Sequence, residues 1–197
     1  LIKKTVFACS NDEARPIFTG ALLEADEQGI RMVATNTHRL ALQAVSDTAA
    51  TPLRIIIPSK ILSELGRLLA GDEPRSVTLY WQRSQIAFEF DNVYIISRLI
   101  EGQFPDYQKV IPVSFATVVT VKTDDFMSAV NLISLLAKDG DYNVLKFSFR
   151  EDDILITSNN PEVGKAKENV AAVIEGPMLD IAFNVNYIND IVKNIDT

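Results

Sequence analysis

The sequence is short of most of the side chains that carry catalysis or metal binding. Its 197 residues hold one cysteine, one histidine and one tryptophan. A single thiol, Cys9, excludes an internal disulfide and a cysteine-based zinc site, and makes a reducing, cytoplasmic setting the expectation. The eight glycines are scattered, with neither Walker nor Gly-x-Gly-x-x-Gly spacing, so no phosphate-cradling loop is encoded. No apolar run approaches the roughly 18 residues of a membrane span; the longest, near 54–58 and 115–121, have strand length. Positive charge is also in deficit, with 19 Lys and Arg against 26 Asp and Glu. Such a chain does not coat nucleic acid by charge alone, so any role on DNA must work another way.

What is present is ordinary globular material, 47% hydrophobic and 23% charged, which excludes a disordered or collagen-like chain. Acid is unevenly placed. Residues 1–113 carry 12 basic and 13 acidic side chains, and residues 114–197 carry 7 and 13. With the proline-bounded stretch 104–112 between them, this predicts two domains, 1–113 and 114–197.

Apolar spacing predicts helices over 1–10, 59–70, 124–138 and 185–195, with Ser59 and Thr123 as N-caps. Strands are expected over 17–24, 29–35 and 39–45, then 76–82, 85–90 and 93–99, then 144–150, 154–158 and 167–174. A short apolar strand also precedes each helix after the first, over 53–57, 118–122 and 179–183. The resulting strand–helix–three-strand unit recurs every 62 to 64 residues or so, and alternate units match in detail. Residues 55–65 align with 181–191, and 31–36 with 154–159. Continuing the repeat predicts a strand before Leu1 and three strands after Thr197, so the sequence reads as an excerpt of a longer one. The expected class is α+β, built from repeated βαβββ units with helices on one side of curved antiparallel sheets.

Several motifs then carry a resemblance. Ala14-Arg-Pro-Ile-Phe-Thr-Gly20 and Val33-Ala-Thr-Asn-Thr-His-Arg-Leu-Ala41 resemble the second domain of bacterial DNA polymerase III β sliding clamps. Glu101-Gly-Gln-Phe-Pro-Asp-Tyr107 resembles that family's interdomain connector. Leu135-Leu-Ala-Lys-Asp-Gly140, Ser158-Asn-Asn-Pro-Glu162 and Phe183-Asn-Val-Asn-Tyr187 resemble its third domain. The resemblance implies a non-catalytic processivity factor whose head-to-tail dimer closes around duplex DNA. Residues 1–113 would be the middle domain without its first strand, and 114–197 the third domain without its last strands. It implies as partners the replicative polymerase, the clamp loader, and repair polymerases and mismatch-repair proteins, with no cofactor, metal or membrane. A stand-alone peptide-binding adaptor of the same fold is the alternative.

Carried onto this sequence, the family's peptide-binding cleft falls on Arg15, Ile17, Phe18, Thr35, His38, Arg39 and Leu40, with Pro105 and Val110 from the connector. Apolar side chains would take a motif's Leu or Phe, and the Arg and His would donate at the rim. Read without the family, His38 is a turn residue, and Phe18 and Leu40 are core. Thr37 stands where family members often have Gly or Ser. The DNA-facing candidates are Lys3, Lys4, Lys60 and Arg67, and the subunit-interface candidates are Leu135 and Leu136. No nucleophile motif accompanies His38, and Cys9 is expected to be a buried, inert thiol. The acidic clusters at 124–125 and 151–153 are expected in a helix's first turn and in a hairpin turn, not at a metal.

Overall fold

A computed structural model describes residues 1–46, 51–71, 75–137, 143–160 and 164–195, without the side chains of 136, 137 and 160. The chain divides into two compact units, Leu1–Asp106 and Tyr107–Thr197.

The first unit opens with two short 3-10 turns, Ile2–Lys4 and Val6–Ala8, where the spacing of Ile2, Val6 and Cys9 predicts one helix. Thr5 separates them at φ −132°, ψ −44°, and its hydroxyl donates to the carbonyl of Leu1 at 3.0 Å. A β-branched residue whose hydroxyl competes for backbone carbonyls is a poor helix interior, and Ile2 and Val6 are β-branched as well. A further 3-10 turn, Pro16–Thr19, replaces the start of the predicted strand over 17–24. Pro16 presets φ for a helical first position, and the Thr19 hydroxyl closes the turn onto the Pro16 carbonyl at 2.8 Å.

Strands β1 (Gly20–Asp26), β2 (Gly29–Thr35), β3 (Leu40–Val45) and β4 (Leu53–Pro58) form an antiparallel sheet in the order β3-β2-β1-β4. The β1–β2 turn needs Gly29, whose φ is +132° and where an added Cβ would meet the Val45 carbonyl oxygen at 2.4 Å. Helix α1 (Ser59–Leu68) follows directly. Pro58, not Ser59, is its N-cap residue, without a side-chain cap bond, because Ser59 is already helical and its carbonyl accepts the Ser63 hydroxyl. β5 (Thr78–Gln82), β6 (Gln85–Phe90) and β7 (Val93–Arg98) form a second sheet. Its two-residue hairpins place Arg83 and Asp91 at positive φ, as tight antiparallel turns require. Leu62 and Leu65 of α1 pack with Ala21, Leu23, Met32, Ala34, Ile57, Ile86 and Phe88 as the buried core.

The second unit holds β8 (Val118–Val121), α2 (Thr123–Ala137), β9 (Val144–Phe149), β10 (Asp153–Asn160), β11 (Gly164–Glu175), β12 (Leu179–Asn184) and α3 (Val185–Val192). The sheet order is β12-β9-β10-β11-β8. Thr123 lies inside α2 rather than capping it, since the Lys122 carbonyl already accepts from the Phe126 amide at 3.0 Å. Asp124 and Asp125 sit in its first turn, where negative charge suits the exposed amides. The end predicted for this helix at Lys138 lies outside the described residues, as do Pro161 and Glu162. α3 stops at Val192, short of the predicted 195, and its cap is Asn184, whose Oδ1 accepts from the Asn186 amide at 2.9 Å.

Ala129, Val130 and Ile133 of α2 bury against Leu145, Phe147, Ile154, Ile156 and Val170. A buried Asn189–Ser134 pair, Nδ2 to Oγ at 3.1 Å, joins α3 to α2. The repeat is visible in the pairing, because β4 pairs antiparallel with β1 in one unit as β12 does with β9 in the other.

Candidate functional site

The strand pair β2–β3 closes at Thr35 opposite Leu40, leaving the four-residue turn Asn36-Thr-His-Arg39. Two side chains shape it. The Asn36 Oδ1 accepts from the amides of His38 and Arg39, both at 3.1 Å. The Thr35 hydroxyl, 9% exposed, donates to the Arg39 carbonyl at 2.7 Å and accepts from the Thr37 amide at 3.1 Å. Side chains that bond their own backbone in this way fix a turn without help from a regular ladder. Thr37 is held at φ +76°, a left-handed value that a β-branched residue rarely adopts.

The Pro16–Thr19 turn lies beside it. Its position is set by the Ser10 amide, which donates to the Phe18 carbonyl at 2.7 Å. Arg15, just ahead of the turn, donates from Nε to Asp12 at 2.9 Å and from Nη1 to the Thr37 hydroxyl at 3.4 Å. Its guanidinium lies 5.7 Å from the centre of the Phe18 ring. The bond from Arg15 holds the exposed Asp12 carboxyl below the usual carboxylate range. Arg39 is directed elsewhere. Its Nη2 donates to the Phe7 carbonyl, and its guanidinium stands 5.5 Å from the Phe7 ring centre.

These bonds gather Arg15, Phe18, Thr35 and Arg39 around one turn, with His38 exposed at its tip and Leu40 half-buried at its base. Ile17 is half-buried against Gly102, whose φ is +135° and where an added Cβ would lie 3.2 Å from Ile17 Cγ1. That contact brings the start of the connector beside Ile17. Beyond it Phe104 is 2% exposed, whereas Pro105 is exposed. Val110 is 67% exposed in a 3-10 turn of the second unit, Tyr107–Val110.

Four residues that sequence reasoning did not single out build this site. Asn36 was legible from the turn signal of an Asn inside a polar run. Phe7 and Asp12 act through bonds that only folding creates, and Gly102 through a close approach.

The other candidates are dispersed. Lys3 is exposed and Lys4 half-buried on the first 3-10 turn, not on a helix. Lys60 is exposed on α1, and Arg67 on the same helix pairs with Glu64. Leu135 is 67% exposed on α2, as is Leu132 at 56%, while the side chain of Leu136 lies outside the described residues. Burial pushes the Cys9 thiol up to about 12, so it is no ready thiolate. Among the described residues no three His, Cys, Asp or Glu side chains gather to hold a cation, and no helix is long and apolar enough to cross a membrane.

An exposed rim of donors over half-buried apolar side chains is suited to short peptides rather than to bond-breaking chemistry. The family description "DNA polymerase III beta subunit, central domain" matches residues 1–106, and the C-terminal domain of the same subunit matches 108–197. The chain is 37% identical over 200 residues to the beta sliding clamp of Bacillus subtilis strain 168, covering 100% of this chain and 53% of the relative. It is 35% identical over 198 residues to that of Staphylococcus aureus, covering 100% and 52%. The chain thus spans about half the length of the curated relatives it matches. The crystal structure of the Bacillus subtilis sliding clamp superimposes with a TM-score of 0.92 at 35% identity, covering 100% of this chain and 52% of that one. That of Pseudomonas aeruginosa does so at 0.92 and 30%, covering 100% and 55%. With an α+β fold, two family domains in order and clamp structures matching its full extent, the chain belongs to the DNA polymerase III beta subunit family of sliding clamps.

Proposed function

We propose that this chain is the middle and third domains, 1–113 and 114–197, of a processivity clamp that encircles duplex DNA. It tethers a replicative polymerase and other replication and repair proteins through a peptide-binding cleft and catalyses no reaction itself. The observation that supports this most is the set of side chains gathered around the Asn36–Arg39 turn of the first unit. There Phe18 and Leu40 are half-buried and Arg15 and His38 are exposed at the rim. A linear motif needs an apolar seat and directional donors, and this turn supplies both. Arg15, Ile17, Phe18, Thr35, His38, Arg39 and Leu40 form the wall of the cleft in this reading, and Pro105 extends it along the connector.

DNA contact needs little affinity in a closed ring, because topology does the holding; Lys3, Lys4, Lys60 and Arg67 supply weak phosphate contacts without base readout. Leu135, exposed on α2, and Leu136 are the candidates for contact with the next subunit of a head-to-tail dimer. The clamp loader and the repair polymerases and mismatch-repair proteins are the remaining partners in this reading.

The test is amide chemical-shift mapping with a short peptide carrying Gln, Leu and Phe. Shifts are expected to concentrate at 15–18 and 35–40. Shifts confined to α1, or to β10 and β11, would place the site elsewhere.

A further inference from the structure

The second unit carries positive charge on the side of its sheet away from its helices. Residues 114–197 hold 7 basic and 13 acidic side chains. Helices α2 and α3 contribute Asp124, Asp125 and Asp190 and no Lys or Arg. Leu145, Phe147, Ile154, Ile156 and Val170 point toward α2, so Lys146, Thr157, Lys165 and Lys167, which alternate with them, point the other way. One cross-strand row of that outer face runs Ala182–Lys146–Thr157–Lys167. Lys165 stands two residues away on β11, opposite Asn159.

The first unit has the same row in apolar form. Ile56 is the equivalent of Ala182, and its row runs Ile56–Leu22–Val33–Leu42. Ile56, Leu22 and Val33 are 4%, 1% and 0% exposed. The connector lies along this row: the Ile100 amide donates to the Ile56 carbonyl at 2.9 Å, and Leu22 and Ile56 share a cleft with Leu99, Ile100 and Phe104. In the second unit Lys146, Lys167 and Ala182 are exposed. An apolar segment laid over that row would bury two ammonium groups without partners, so only an occupant that brings negative charge fits it.

The chemistry of the face selects among anions. Asp180 already shows how it takes a carboxylate. The Lys146 Nζ donates to it at 2.7 Å, and this bond, with a further one from Ser148, holds its carboxyl below the usual carboxylate range. Lys165 and Lys167 have no ion-pair partner among the described residues, and they stand one strand period apart, about 7 Å. An extended chain with acids at alternate positions repeats its carboxylates at that same spacing. Thr157, Asn159 and Asn169 lie between the lysines as neutral hydrogen-bonding groups. Among the described residues no aromatic ring lies on this face for nucleic-acid bases to stack on.

We propose that the outer face of β9, β10 and β11 is a docking surface for an acidic segment of a partner protein. The segment lies extended along β11 and pairs alternate carboxylates with Lys165 and Lys167, with Lys146 at its flank.

The experiment is calorimetry on this chain at low salt with a peptide of alternating Glu and Thr and its counterpart of alternating Gln and Thr. Neither carries Leu or Phe, so the outcome leaves the cleft reading where it stands. Three exposed lysine contacts give a preference of about tenfold for the Glu peptide, and salt at about 0.5 M removes most of it. Lys165→Gln combined with Lys167→Gln is expected to bring the ratio to about two or less. Lys193→Gln, at the end of α3, is expected to leave it unchanged. In the wild type, amide shifts caused by the Glu peptide should fall at 144–148, 155–159 and 164–169. Equal binding of the two peptides, a preference that survives the double substitution, or shifts confined to the first unit overturns the proposal. A thymidine oligonucleotide of equal charge that binds more tightly than the Glu peptide overturns the assignment to a protein partner.

Discussion

At the scale of single residues, burial separates the side chains that serve the fold from those left for a partner. Cys9 is half-buried beneath the N-terminal turns, and burial raises its thiol to about 12, opposed only weakly by the positive Arg39. A raised thiol means that the folded state favours the proton. This stabilisation is whole below the unfolded value near 8.5 and is lost as pH rises from there toward 12. Alkylation by iodoacetamide at pH 7.5 is therefore expected to be at least about tenfold slower in the native chain than in urea, and equal rates would contradict it. The same contrast explains what was legible in the site. Arg15, Thr35, His38 and Leu40 stand in contiguous motifs, so the family resemblance offers them together as candidates. The 32-residue reach from Arg39 to the Phe7 carbonyl has no local signal. The positive φ of Thr37 has none either, because turn chemistry points to Asn or Gly at such a position.

At the scale of elements, helices and strands whose apolar period is long were readable, and the short ones were not. Strand limits at 29–35 and 85–90 coincide with β2 and β6, each of which pairs with a neighbour on both sides. The helix predicted over 1–10 fails because Thr5 interrupts it with its own hydroxyl, and the strand predicted from 17 begins only at Gly20 because Pro16 starts a turn. Caps were read by residue type, which favoured Ser59 and Thr123 over Pro58 and Lys122 and passed over Asn184. Two measurements follow. Asn184→Ala removes the bond to the Asn186 amide and is expected to cost about 1 kcal/mol in urea unfolding; no change would mean that water replaces the cap. Ser134 and Asn189 join α2 to α3 in a buried setting, at 1% and 7% exposure. A double-mutant cycle through Ser134→Ala and Asn189→Ala is expected to give a coupling of about 1 kcal/mol. Additivity within error would mean that the pair contributes nothing as a pair.

At the scale of the whole molecule, each unit has its own core, so damage in one should stay local. Phe147 is 2% exposed and contacts Phe126, Phe149 and Phe183 at ring distances of 6.0, 6.3 and 5.7 Å. Phe147→Ala is expected to destabilise the second unit by about 3 kcal/mol or more. Hydrogen exchange should show protection lost in β9 and β10 and kept in β1 and β2; loss in both alike would mean a single cooperative core. The repeat of strand, helix and three strands was legible from β4 onward, because it recurs in apolar spacing, whereas the first helix position is taken by two 3-10 turns. The central claim is the proposal that the side chains around the Asn36–Arg39 turn bind the linear motif of a clamp partner. Calorimetry with a Gln-, Leu- and Phe-bearing peptide tests it most directly, on the wild type, Leu40→Ala, Lys60→Ala and Asp152→Ala. The expected result is that Leu40→Ala weakens binding roughly thirtyfold, the loss of about 2 kcal/mol typical of an anchor pocket, while Lys60→Ala and Asp152→Ala bind as the wild type does. Equal binding by Leu40→Ala and the wild type, with loss on Lys60→Ala, would contradict it.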